Sequence, residues 1–225
     1  VLRRAYIVLR NTQYAIRKTH SKVVFKMKTI KIHSPLTNAQ LKPLKVSDLV
    51  FYTGELYTMR DQAHRRLFEL YKRKKRLPFD PAGKVIYYCG PTPAPRGACI
   101  GSCGPTTSER MDAYTYFLID KGVKAFVGKG ERSAALVGYF FKHKCLYFLA
   151  VGGAGAYYAQ RVSRCESVCF KDLGPEAVYK LSVHDFPLIV GIDTHRQYIY
   201  SRFQNIPVLS GENREPNLIP HPKAY

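Results

Sequence analysis

Residues 108–130 read SERMDAYTYFLIDKGVKAFVGKG, and two structural periods meet inside them. Met111, Tyr114, Phe117 and Leu118 recur at helical spacing, which predicts a helix over residues 108–121 entered from Thr107 or Ser108 as N-cap. The apolar run at residues 125–127 then reads as a short strand running into Gly128-Lys129-Gly130. A helix feeding directly into an apolar strand is the repeating unit of an α/β domain, and the same unit recurs on both sides. Downstream, helices are expected over residues 134–142 and 153–162, with strands over 145–151, 167–170 and 186–192. Upstream, residues 84–89 (KVIYYC) are apolar and β-branched and stop at Gly90-Pro91. Before them Ala63, Leu67, Leu70 and Tyr71 mark a helix from Arg60 that finishes in a basic string at residues 72–76, favourable at a helix C-terminus. Residues 48–54 read as a strand closing in a turn at Gly54, residues 55–58 as a second short strand, and residues 28–35 as a half-buried strand ended by Pro35. The class is therefore α/β, with a largely parallel sheet behind a more β-rich front part.

The chain has 225 residues, is 46% hydrophobic and carries a formal charge of +20 from 36 Lys and Arg against 16 Asp and Glu. Such an excess favours an anionic partner: nucleic acid, an acidic protein face, or small carboxylates and phosphates. Its distribution is uneven, because no acidic residue precedes Asp48. Three segments follow: a basic N-terminal extension over residues 1–26, a main domain over 27–200 and a Pro-rich arm over 201–225 with Pro207, Pro216, Pro220 and Pro222. No apolar run suits a membrane helix, and residues 1–26 lack the pattern of a secretory signal. A cytoplasmic chain is expected, or an organellar one if residues 1–26 act as a transit segment.

Six cysteines lie among long strand-like runs, which points to free thiols. Cys99 and Cys103, like Cys165 and Cys169, are spaced by four, unlike the tighter pairs of structural zinc or the converging thiolates of an iron–sulfur site. No metal ligand is expected in this chain, and Cys103 is the one thiol worth weighing as a nucleophile. Residues 152–159 (GGAGAYYA) place Tyr158 where a dinucleotide fingerprint needs a small residue, so a tight strand-to-helix turn is expected there. Lys129, between two glycines just past a strand, has a backbone that a ligand can approach and an ammonium free to meet an anion. Arg60 and Arg110 stand at helix starts, where a cation opposes the macrodipole. Each is explained by solvation, by an ion pair with Asp61 or Asp112, or by convergence with Lys129 and a helix N-terminus at Thr106 and Thr107 on a small anion.

Taken together, residues 56–64 (LYTMRDQAH), 77–80 (LPFD), 87–93 (YYCGPTP), 101–112 (GSCGPTTSERMD), 121–130 (KGVKAFVGKG), 150–153 (AVGG) and 172–177 (DLGPEA) resemble the β subunit, or C-terminal domain, of class I fumarases and the related L-tartrate dehydratases. The resemblance runs over about residues 27–200. It implies a swivelling β/β/α domain with a mixed, largely parallel sheet and flanking helices. It also implies a hydro-lyase that interconverts a 2-hydroxydicarboxylate and its dehydrated product. A 4Fe-4S cluster would be held by a partner α subunit and not by this chain, in an α2β2-type assembly without membrane or nucleic acid. By similarity Thr106 is the base that takes the C3 proton, and Arg60, Arg110 and Lys129 bind the substrate carboxylates. Asp61, His64, Thr107 and Asp112 stand behind them. Glu109 departs from the small residue usual in the family, and would either neutralise Arg110 or face water.

Two other classes compete. One is an anion-binding swivelling domain without a catalytic partner. The other is a basic nucleic-acid-binding protein, for which the +20 charge and 17 tyrosines speak. Much of the charge, however, lies in the N-terminal segment outside the resembling blocks.

Overall fold

A computed structural model describes residues 27–201. The basic extension over residues 1–26 and, apart from Ser201, the Pro-rich arm lie outside them. The described chain forms one seven-stranded sheet in the order β1-β2-β3-β4-β5-β7-β6, with a further pairing between β2 and β7. The strands are β1 (Thr29–His33), β2 (Leu49–Thr58), β3 (Val85–Tyr87), β4 (Ala125–Gly128), β5 (Leu146–Leu149), β6 (Val162–Cys169) and β7 (Val178–Ile192). Pairings from β1 through β5 are all parallel, whereas β7 runs antiparallel to β2, β5 and β6. Because β7 bonds to both β5 and β2, the pairings β2-β3-β4-β5-β7 close into a ring, with β1 and β6 as flanks.

Period-2 alternation divides the apolar side chains between two cores. Val85, Tyr87, Ala125, Val127, Leu146 and Phe148 point into the ring, where they meet Val50, Leu56, Leu181 and Phe186. Ile86, Tyr88, Phe126 and Tyr147 point outward under the helices. Both faces of β3, β4 and β5 are thus buried, which explains why they read as continuous apolar runs. Among the described residues five α-helices complete the fold: α1 (Asn38–Leu41), α2 (Asp61–Lys72), α3 (Asp112–Asp120), α4 (Ala134–His143) and α5 (Gly155–Ala159). Ala63 and Leu67 of α2, Phe117 and Leu118 of α3, and Leu136, Val137 and Phe140 of α4 cover the outer core. The result is a mixed sheet with flanking helices in the β/β/α arrangement.

Four expectations need correction. The chain does not turn at Gly54; β2 continues through it with a register shift between Tyr52 and Gly54. Gly54 has φ +148, and a Cβ there would fall 2.1 Å from Ser34 Oγ, so glycine serves a bulge and a close approach. Helix α5 ends at Ala159 and not at 162, because β6 already begins at Val162. That strand pairs only with β7, and its polar side chains conceal it from an apolar-run criterion. Strand β7 begins at Val178, eight residues before the expected start at 186. Lastly, α3 begins at Asp112 after a 3-10 turn (Glu109–Met111), with no side-chain cap from Ser108.

Candidate functional site

The candidate residues gather at the C-terminal ends of β2, β3 and β4, the end at which parallel α/β sheets characteristically bind ligands. Arg60 follows β2, Lys129 follows β4, and the segment carrying Thr106 is laid between the ends of β3 and β4. Its backbone is zipped on both sides. Thr106 N–H donates to Tyr88 O at 2.8 Å, Lys129 N–H to Thr106 O at 3.3 Å, and Ser108 N–H to Lys129 O at 3.0 Å. Thr107 and Lys129 form an isolated parallel bridge. Small residues allow this approach: a Cβ on Gly128 would lie 2.0 Å from Ser108 Oγ, and one on Gly155 would lie 2.2 Å from Ser102 Oγ.

Within this frame Arg110 Nη2 donates to Thr106 Oγ1 at 2.9 Å. The same nitrogen is 3.3 Å from Asp61 Oδ2, and Arg60 Nε is 3.8 Å from that oxygen. One carboxylate oxygen therefore stands between two guanidinium groups. Arg60 also faces Glu176, at 3.7 Å from Nη2. Glu176 in turn accepts from Gln62 N–H at 2.9 Å, a carboxylate at the start of α2 where the helix dipole favours it. Arg60 is packed close to backbone: a Cβ on Gly90 would meet its Cδ at 2.6 Å. Its Nε is buried without a hydrogen-bond partner, an unspent donor in the site. The Lys129 side chain lies over Gly152, where a Cβ would be 3.6 Å from Cδ and 4.0 Å from Nζ.

A comparison of exposure separates the arginines. The Arg110 side chain is 51% exposed, and an exposed ion pair such as Arg110–Asp61 contributes roughly 0–1 kcal/mol. Arg132, by contrast, has a side-chain exposure of 0% and is locked to Asp112 Oδ1 at 2.7 Å. Removing one partner of such a buried pair costs about 3–5 kcal/mol, so Arg132 is fixed in place. Arg110 and Arg60 are the partly exposed guanidinium groups here, and Arg132 is internal.

The remaining sequence candidates fall as follows. His64 is buried beside the Tyr88 and Tyr114 rings, with Nδ1 2.8 Å from Arg60 O. Burial lowers its pKa to about 4, so the ring is neutral at neutral pH and supports the Arg60 backbone as a donor. Asp112 engages Arg132 and Ser133 N–H and not Arg110; of the two carboxylates weighed for Arg110, Asp61 is the partner. Glu109 is exposed and forms no ion pair with Arg110, the solvent-facing alternative. The helix N-terminus expected at Thr106 and Thr107 is not there: α3 starts at Asp112, and the Thr106 and Ser108 N–H groups are spent on Tyr88 O and Lys129 O.

Cys103 is buried, and that burial lifts its thiol to about 12, which leaves it protonated and unfit as a nucleophile. All six cysteines are unpaired, and among the described residues no group of three or more His, Cys, Asp or Glu is placed to hold a metal ion. The described residues thus offer no fit for an iron–sulfur cluster. Also among them, no helix is long and apolar enough to cross a membrane.

Sequence reasoning missed Glu176, Tyr147 and Arg132. Glu176 lay inside the DLGPEA block without a role. Arg132 carried one usable signal, an arginine just before an apolar helix.

The family model described as fumarase C-terminus matches residues 6–203. The chain belongs to the fumarase C-terminus family. A putative L(+)-tartrate dehydratase subunit beta of Methanocaldococcus jannaschii is 41% identical over 172 residues, 73% of this chain and 88% of that protein. The L(+)-tartrate dehydratase subunit beta of Escherichia coli K12 is 36% identical over 188 residues, covering 81% and 90%. The anaerobic class I fumarate hydratase of the same organism is 36% identical over 169 residues, 74% of this chain but 31% of that longer protein.

Proposed function

We propose that the chain is the β part of an iron–sulfur hydro-lyase that reversibly dehydrates a 2-hydroxydicarboxylate, malate to fumarate or tartrate to oxaloacetate. The observation that carries this reading is the guanidinium of Arg110 donating to Thr106 Oγ1 at 2.9 Å, at the strand ends where Arg60 and Lys129 also stand. Two carboxylates call for several cations. Arg60 brings an unspent buried donor, Arg110 an exchangeable one, and Lys129 an ammonium beside a glycine loop.

Thr106 is the base in this reading. A threonine hydroxyl ionises far above neutral pH, so proton removal from C3 requires an environment that favours its alkoxide. A guanidinium donating directly to Oγ1 supplies one, since a hydrogen bond and a positive charge both favour the ionised form. Asp61 opposes this while it holds both arginines; a substrate carboxylate that takes its place turns Arg60 and Arg110 toward the ligand. Thr107 keeps Lys129 in register through the backbone bridge. His64 supports the Arg60 carbonyl, and Asp112 fixes Arg132. Lewis acidity toward the departing hydroxyl is supplied by a 4Fe-4S cluster held by an α partner, in an α2β2-type assembly located in the cytoplasm.

The test is Thr106→Ala in the chain assembled with its α partner, assayed with L-malate, fumarate and L-tartrate. Turnover should fall by about 10²- to 10⁴-fold, the usual contribution of a positioned base, while substrate binding persists. Turnover within twofold of the parent on the active substrate would refute the assignment.

A further inference from the structure

We infer that Tyr147, clamped by Arg132, is a positioning residue of this site: its hydroxyl sets the spacing between the Thr106–Arg110 segment and the Lys129 loop. This rests on the functional reading above.

The Tyr147 hydroxyl lies 2.8 Å from Ser108 Oγ and donates to Gly130 O at 3.0 Å. A phenol has one proton, and here it goes to the Gly130 carbonyl, so Ser108 must donate to the Tyr147 oxygen. Burial pushes the Tyr147 phenol up, which keeps that proton in place. The result is a directed relay, Ser108 Oγ–H to Tyr147 Oη–H to Gly130 O. Ser108 is two residues from Thr106 and from Arg110, and Gly130 adjoins Lys129. The relay therefore ties together the two segments that bear the proposed base and the proposed carboxylate-binding ammonium. It reinforces a weak point, because Lys129 N–H reaches Thr106 O only at 3.3 Å.

The ring itself cannot tilt. Tyr147 is fully buried, and the Arg132 guanidinium sits 5.1 Å from its centroid and 5.1 Å from that of Tyr88. Arg132 is held by Asp112 Oδ1 at 2.7 Å and by Thr115 Oγ1 at 2.8 Å. Tyr88 is the residue whose carbonyl receives the Thr106 N–H. Arg132 thus joins the three supports of the site: Tyr88 under Thr106, Asp112 at the head of the helix that follows Arg110, and Tyr147 between Ser108 and Gly130. Without the Tyr147 hydroxyl, Ser108 Oγ and Gly130 O lose their shared partner. A shift of about 1 Å between catalytic groups costs on the order of 10²-fold in rate.

The experiment is a double-mutant cycle with Tyr147→Phe and Lys129→Ala in the chain assembled with its α partner. It reads kcat and KM on the active substrate and, by calorimetry, the Kd of succinate as a non-reacting dicarboxylate. Tyr147→Phe should lower kcat/KM by about 10- to 100-fold and weaken succinate binding. In the Lys129→Ala background the same change should weaken succinate binding by less than about twofold, since coupled neighbours are non-additive. Ser108→Ala, which leaves ring and guanidinium untouched, should reproduce the direction of both effects and carries the test if Tyr147→Phe fails to fold. Equal losses in the two backgrounds, or kinetics within twofold of the parent for both hydroxyl deletions, would overturn the positioning role. Unchanged kinetics and succinate binding for Lys129→Ala alone would instead overturn the functional reading, and this inference with it.

Discussion

Asp112→Asn isolates the buried charge on which the site is built. Arg132 is protonated at any accessible pH, its side chain is 0% exposed, and among the described residues Asp112 is its one carboxylate partner, at 2.7 Å. Asp112 Oδ2 additionally accepts from Ser133 N–H at 2.8 Å, so both oxygens are occupied. Asparagine keeps one acceptor and turns an NH2 against one of the two donors, while the guanidinium loses its counter-charge. The rings of Tyr88, Phe140 and Tyr147 and the Tyr88 and Thr115 hydroxyls remain as partial compensation. The expected loss is about 3–5 kcal/mol, the cost of stranding one member of a buried pair. For a domain of this size each kcal/mol shifts Tm by about 2–4 °C, so the midpoint should fall by about 6–20 °C in calorimetry or circular dichroism. Removing both charges in Asp112→Leu/Arg132→Met should recover most of that loss, because no ion is left unpaired. A single Asp112→Asn change costing less than about 1 kcal/mol would refute the reasoning, and would mean that the aromatic cage alone carries the charge.

Further outcomes follow from the same geometry. The pKa of His64, lowered from 6.5 to about 4 by burial, means that the unfolded chain binds more protons between those values. Stability should therefore be complete above about pH 6.5 and fall by about 3 kcal/mol as pH drops to 4, a loss that His64→Gln should remove from the urea-denaturation pH profile. Gly128→Ala places a methyl 2.0 Å from Ser108 Oγ and should destabilise by about 1–3 kcal/mol, part of which Ser108→Ala recovers; a neutral Gly128→Ala would show that the two segments are looser than drawn. Lys129→Ala should chiefly raise KM and weaken succinate binding, and Arg110→Ala should lower kcat as well because its guanidinium is the donor to Thr106 Oγ1, with Tm within about 1 °C of the parent in both, since an exposed pair adds little stability. Unchanged KM and rate in both would remove them from the site.

The legibility of this fold varied with the range of the interaction that made each element. Strands β3, β4 and β5 are buried on both faces, and their apolar runs announced them. Strand β6 is a largely polar edge without such a run, whereas the first half of β7 alternates Tyr179, Leu181 and Val183 with Lys180, Ser182 and His184, a half-buried strand pattern that a search for continuous apolar runs passes over. Gly54 punctuates the sequence as a turn does, yet the demand it meets is the approach of Ser34, 20 residues earlier in the chain. As candidates, Arg60, Thr106, Arg110 and Lys129 were picked out in the sequence because motif and local setting agreed: cations at expected helix starts, a hydroxyl in a glycine-bounded loop, a lysine between glycines. Glu176 and Tyr147 were not, because their roles exist only through partners far away in sequence.

The sequence by itself determined the α/β class, the order of the elements and the set of candidate cations and hydroxyls, since helical and strand periods and glycine placement are local properties of the chain. Tertiary structure alone decided that β7 closes the sheet, that Asp61 stands between Arg60 and Arg110, and that of the arginines near the site one is fully buried while two stay partly exposed. Those outcomes depend on desolvation and on which strands become neighbours, and neither quantity is written in any short stretch of residues.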